Sequence, residues 1–242
     1  MYKRYLGHRD EGEKRVCEED EITSLIMGPL DYLAPEASGT FWKALVEYGS
    51  RHDQPRLPDG APSFVAMTFW PRRNIEPDLL VELYWLTGER RLLLVEFKWN
   101  APLSGANQLN RQWCEYLTAD ERKTAYHVFI APEVSAGLNA LGQGDIWNGR
   151  LILRSWVSVL DILRRLDCSS NPGLERWKTQ VTTFLGMLGV LRFQGFRGLA
   201  APRLCLTSPV FWCPVSGFTS LESPSHFPSK KLSSSFVWSS EQ

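Results

Sequence analysis

Apolar residues recur at 22, 25, 26, 30 and 33 in "EEDEITSLIMGPLDYLAP", the three-and-four spacing of a helix with one buried stripe, and predict a helix over 18–33. A second helix is expected over 40–48. The period then changes. "GAPSFVAMTFWPRR" is rich in aromatic and β-branched residues between Gly and Pro and reads as a strand. "PDLLVELYW" and "RLLLVEFKW" are two further strands around "TGE". "SGANQLNRQWCEYLT" reads as a helix with Ser104 at its N-cap. "AYHVFIAP" and "LILRSW" are strands, and helices over 156–166 and 172–188 follow. Strands interleaved with helices predict an α/β fold with a mixed central sheet covered by helices.

The strand at 91–99 poses a problem. Apolar on both faces, it belongs in the middle of a sheet, yet it carries Glu96 and Lys98. Alternation puts Leu92, Leu94, Glu96 and Lys98 on one face, and Asp78, Leu80, Glu82 and Tyr84 on one face of the preceding strand. A three-residue hairpin loop, Thr87–Gly88–Glu89, would pair Leu86 with Arg90. Asp78 would then stand opposite Lys98, with Glu96 on the diagonal. An odd loop length gathers all three at one end of the sheet. Two adjacent carboxylates repel, and a divalent cation relieves that repulsion. Mg²⁺ takes a few carboxylate oxygens and leaves room for a phosphate, while a neighbouring Lys can stabilise the developing charge. The alternative is a buried salt bridge that merely closes the sheet.

Composition narrows the field. Lys+Arg and Asp+Glu both number 27, so a nucleic acid would have to be met by a local patch rather than by overall charge. Five Cys without a CxxC, and four scattered His, argue against a disulfide scaffold or a zinc ribbon and for reduced thiols in a cytoplasmic protein. "MYKRYLGHRDEGEKR" has no apolar core, so it does not read as a signal peptide. "VTTFLGMLGVL" is too short to span a membrane, which takes ~20 residues. Residues 191–242 are rich in Ser and Pro yet hold large aromatics, and read as an extension to a domain covering 1–190.

"EPD" at 76–78 followed by "EFK" at 96–98 resembles the PD-(D/E)XK phosphodiesterase signature, with Pro77-Asp78 and Glu96-x-Lys98 one hairpin apart. The superfamily's αβββαβ core order resembles the order read above, over roughly residues 18–130. "QWCEY", with Gln112 and Tyr116, resembles the Q-x-x-x-Y motif of its RecB-like exonuclease branch. Spacing of four places Gln112 and Tyr116 on one helical face, with Gln108 a turn earlier. The superfamily often adds a carboxylate from its first helix. Of Glu18, Glu19, Asp20 and Glu21, Glu19 continues the stripe of Ile22, Ile26 and Leu30; Glu18 borders it, and Asp20 and Glu21 lean outward. The bland reading of all four is an acidic helix start favoured by the macrodipole.

The resemblance implies a Mg²⁺- or Mn²⁺-dependent nuclease acting on DNA, in restriction, phage defence or repair. Asp78 and Glu96 would bind the metal, with the Phe97 carbonyl and Glu19 completing its shell, and Lys98 would assist the attacking water. Gln108, Gln112, Tyr116 and Arg111 would position substrate, and Arg72, Arg73, Arg90 and Arg91 are further candidates for phosphate contact. A protein partner or a homodimer is compatible with this reading. Two alternatives remain: an inactive chain of the same fold serving as a binding or assembly subunit, and an unrelated α/β protein in which the motif is coincidence.

Overall fold

The computed structural model describes residues 18–49, 56–99, 103, 105 and 107–190. The extension at 191–242 and Ser104 lie outside the described residues. Among the described residues no helix is long and apolar enough to cross a membrane.

Helices α1 (Glu18–Asp31) and α2 (Pro35–Glu47) precede three antiparallel strands: β1 (Phe64–Phe69), β2 (Leu79–Tyr84) and β3 (Arg90–Phe97). Helix α3 (Gln108–Arg111) runs on into a π turn (Gln112–Tyr116), and a short α4 (Ala119–Arg122) leads to β4 (Ala125–Ala131). Helix α5 (Ser135–Gly142), strand β5 (Leu151–Ser155), α6 (Trp156–Arg165) and α7 (Pro172–Met187) complete the order. The strands lie in chain order in one open sheet, with β3–β4 and β4–β5 parallel. This is a mixed five-stranded sheet flanked by helices. Helix α2 begins five residues before the expected start, because Pro35 at the first helical positions is preset for helical φ. Sequence periodicity missed α4 and α5, which are too short to show a stripe.

Alternation along the strands divides the core. Leu79, Val81, Leu83, Leu93, Val95 and Phe97 pack with α1, α2, α6 and α7. Leu80, Leu92 and Leu94 pack on the other face with Leu109 and Trp113 of the α3 segment and Ala140 of α5. The face carrying Glu96 is therefore the α3 face.

The hairpin is a three-residue loop, but one residue earlier than expected. Trp85 N–H donates to the Glu89 carbonyl and Gly88 N–H to the Trp85 carbonyl, so the loop is Leu86–Thr87–Gly88. In this loop type the left-handed residue comes last, and Gly88 at φ +84° takes that place. Tyr84 thus pairs with Arg90 and Leu79 with Val95. Continued by one residue, that register sets Asp78 across from Glu96, not from Lys98. The parity is unchanged, so the two carboxylates still share a face.

Candidate active site

The site forms where β3 ends. Asp78 sits just before β2, and its Oδ2 accepts the Phe97 N–H at 2.7 Å. Phe97 thus meets the cluster through its amide. Lys98 is pinned by its main chain: its N–H donates to the Ile130 carbonyl at 2.7 Å, and its carbonyl accepts from Trp156 Nε1 at 2.8 Å. Its ammonium lies 2.9 Å from Glu96 Oε1 and 3.5 Å from Glu19 Oε2.

Glu19 arrives from the other side of the sheet. Ile22, Ile26 and Leu30 are fully buried and fix the rotation of α1. The same stripe carries Glu19 to the end of β3, where Oε1 accepts the Trp99 N–H at 2.7 Å. Lys98 therefore bridges a carboxylate on each side of the sheet's end.

Glu96 is 1 % exposed, a carboxylate inside the core that must be satisfied there. Gln108 Nε2 donates to Oε1 and Gln112 Nε2 to Oε2, both at 2.6 Å. With Lys98, three donors hold it. Gln108 and Gln112 share this duty because they stand four residues apart along the start of the helix. Tyr116 does not join them. The turn from Gln112 is a π turn, with i→i+5 bonding, so the fourth residue falls short of a full revolution instead of passing it. Tyr116 packs in the α3-face core, with the Arg73 guanidinium 4.6 Å from its ring centre. Arg111 is exposed and paired with Glu115 at 2.9 Å.

Charge is unbalanced here. Burial pushes the Asp78 carboxyl up, and the charge of Glu96 pushes it further, to about 8, against the opposing pull of the Phe97 amide and Lys98. Asp20 adds to the negative field. Burial acts to lower the Lys98 ammonium, but Glu96, Asp78 and Glu19 outweigh it and raise it above its ordinary value. One cation thus stands among three carboxylates.

Behind Gln112 lies a buried polar chain that sequence reasoning overlooked. His127 of β4 has no exposed surface. Its Nε2 lies 3.2 Å from Gln112 Oε1, and its Nδ1 accepts from Trp147 Nε1 at 3.1 Å. The Trp113 ring stacks on the imidazole, 6.1 Å away and 9° from parallel. Trp147 is set by Asp145, whose carboxylate accepts the N–H groups of Trp147 and Gly149. A His in the run "AYHVFIA" was the available signal, since a buried polar ring must find partners.

All the arginines proposed for phosphate contact have acidic partners. Arg73 meets Glu121 at 2.8 Å, Arg90 meets Glu82 at 2.6 Å and Arg91 meets Glu89 at 2.9 Å, while Arg72 bonds to Glu76. The exposed Arg72–Glu76 pair is weak and can exchange partners with an incoming phosphate, whereas Arg73 is held by both Glu121 oxygens and the Tyr116 carbonyl.

No protein-family model matches the chain, and neither a curated protein nor a solved structure does. What the residues could hold must be judged from their chemistry. Among the described residues, no three His, Cys, Asp or Glu side chains are grouped so as to hold a metal ion. Two carboxylates have oxygens with room for a further partner. Asp78 Oδ2 takes one donor and Glu96 Oε2 one, which leaves acceptor capacity on each. Burial raises Asp78 most and the charge of Glu96 adds to it, and a cation between the two would offset that second cause. Glu19, held by Lys98 and the Trp99 amide, stands one side chain removed.

Proposed function

We propose that the chain is a divalent-metal-dependent nuclease of the PD-(D/E)XK type, hydrolysing phosphodiester bonds in DNA. The carrying observation is the meeting of Asp78, Glu96 and Lys98 at one end of the sheet, where burial first and the charge of Glu96 second push Asp78 up to about 8. Asp78 and Glu96 would hold Mg²⁺ or Mn²⁺, with the Phe97 carbonyl as a further ligand. When bound, such a cation supplies water activation and charge neutralisation at the phosphorus.

The chain's own residues do the rest. Gln108 and Gln112 fix the direction of Glu96. Lys98 places a positive charge beside the site, where negative charge builds on the phosphate in the transition state. Glu19 orients Lys98 and is a further carboxylate for the metal shell. Arg111, exposed on the same segment, is assigned to substrate contact, whereas Tyr116, buried in the core, supports the segment from behind. A role in restriction, phage defence or repair is what the resemblance implies, and a cytoplasmic setting is what the cysteine spacing, without a CxxC, suggests.

One observation favours the inactive, binding-subunit reading: Lys98 already occupies Glu96 and Glu19, a closed ionic cluster. Incubating the full chain with labelled single- and double-stranded DNA separates the two. Cleavage with Mg²⁺ or Mn²⁺, abolished by EDTA and by Asp78→Asn, is expected. Binding without cleavage under either metal would instead support the subunit reading.

A further inference from the structure

The chain Trp147–His127–Gln112–Glu96 runs from an indole in the core to a carboxylate at the proposed site, and each link has one workable direction. An indole N–H can only donate. It points at His127 Nδ1, so that nitrogen must be the bare one. In a neutral imidazole the proton then sits on Nε2, which faces Gln112 Oε1. A donor facing Gln112 Oε1 turns the other end of the amide, its NH₂, toward Glu96 Oε2. The opposite amide orientation would set an oxygen against the carboxylate and an NH₂ against an N–H.

We infer that His127 is a positioning residue for Glu96. Held in the Nε2–H tautomer by Trp147, it fixes the orientation of Gln112 and through it the direction of the carboxylate. This assignment rests on the proposed nuclease reading for its purpose, but not for its geometry.

Two further features agree. Burial pushes His127 down to about 3, so the ring stays neutral and the direction of the chain does not reverse near neutral pH. Trp113 stacked on one face, together with the surrounding apolar core, leaves the ring little room to turn. Groups that orient a ligand from behind typically matter 10–100-fold in metal affinity or activity.

The test uses the full chain and three variants. His127→Leu removes the donor to Gln112. His127→Gln returns an amide donor near the Nε2 position. Trp147→Phe removes the indole N–H together with part of a buried ring, a second and different truncation of the chain that serves if His127→Leu does not fold. Imidazole ¹⁵N shifts should show the Nε2–H tautomer in the parent. The Gln112 side-chain amide signals should move in His127→Leu and in Trp147→Phe, and return toward the parent in His127→Gln. Mn²⁺ affinity and single-turnover cleavage should fall ~10–100-fold in His127→Leu, with substrate KM unchanged, and recover in His127→Gln. An Nδ1–H tautomer in the parent, or Gln112 signals indifferent to Trp147→Phe, would overturn the inference. If the parent cleaves nothing, the nuclease reading fails while the tautomer and amide signals still decide the positioning role.

Discussion

Asp78 faces Glu96 across the ends of two antiparallel strands, and burial together with the charge of Glu96 raises the cost of ionising Asp78. Asp78 keeps its proton to about pH 8, against an ordinary value of 3.8. Between those limits the folded chain holds a proton that the unfolded chain has released. The stabilising contribution is complete below the ordinary value and is lost as pH rises toward 8. Asp78→Asn removes this dependence. In metal-free urea unfolding, the variant's advantage over the parent should grow with rising pH, by up to ~1.4 kcal/mol per pH unit. A gap independent of pH would mean that Asp78 is an ordinary surface acid.

Lys98 is the counter-charge in the metal-free site, and a divalent cation would compete for the same carboxylates. Mg²⁺ or Mn²⁺ should raise the melting temperature by mass action, equivalent to ~2.7 kcal/mol at a hundredfold excess over Kd. Asp78→Asn should blunt that rise. Lys98→Met should enlarge it, because Glu96 and Glu19 lose their ammonium, even though the metal-free variant is destabilised by ~3–5 kcal/mol. Thermal melts across a metal series measure both effects. A smaller metal shift in Lys98→Met would show that the ammonium does not stand in for a cation.

Sequence patterning made the sheet and the parity of the charged face legible. A buried strand, Leu92 to Phe97, could only alternate, and an odd loop kept Asp78 and Glu96 together. The loop position was not legible from length alone; it followed from the left-handed residue having to be last, which moved the register by two. Glu19 could be singled out because three buried residues fix the helix rotation. Tyr116 could not be placed, because nothing in "QWCEY" announces a π turn. His127 and Trp147 stayed hidden because His127 meets Gln112, and Trp147 meets His127, only through tertiary packing.

The hairpin register has its own test. Gly88 is exposed at φ +84°, with no atom within contact of an added Cβ, so only backbone strain opposes a side chain. Gly88→Ala should cost ~1–2 kcal/mol, and Gly88→Asn less, since Asn tolerates the left-handed region. Denaturant midpoints measure the difference. Equal stability for Ala and Asn would contradict the loop assignment.

His127 gives an opposite pH signature to Asp78. Neutral when folded down to about pH 3, it binds a proton from 6.5 downward once unfolded. Its contribution is therefore present above 6.5 and is lost as pH falls toward 3. Acid unfolding of His127→Gln should begin at lower pH than that of the parent, read by circular dichroism. An unchanged acid midpoint would mean that the ring titrates in the folded chain.

The most direct measurement is single-turnover cleavage of labelled DNA by the parent and by Lys98→Ala, with Mg²⁺ or Mn²⁺ and enzyme in excess. Lys98 is assigned to the transition state, so the variant should lose ~10²–10³-fold in rate while its affinity for DNA stays nearly unchanged. Equal rates for the two proteins would make Lys98 a structural ion-pair partner, and no cleavage by the parent with either metal would contradict the nuclease assignment itself.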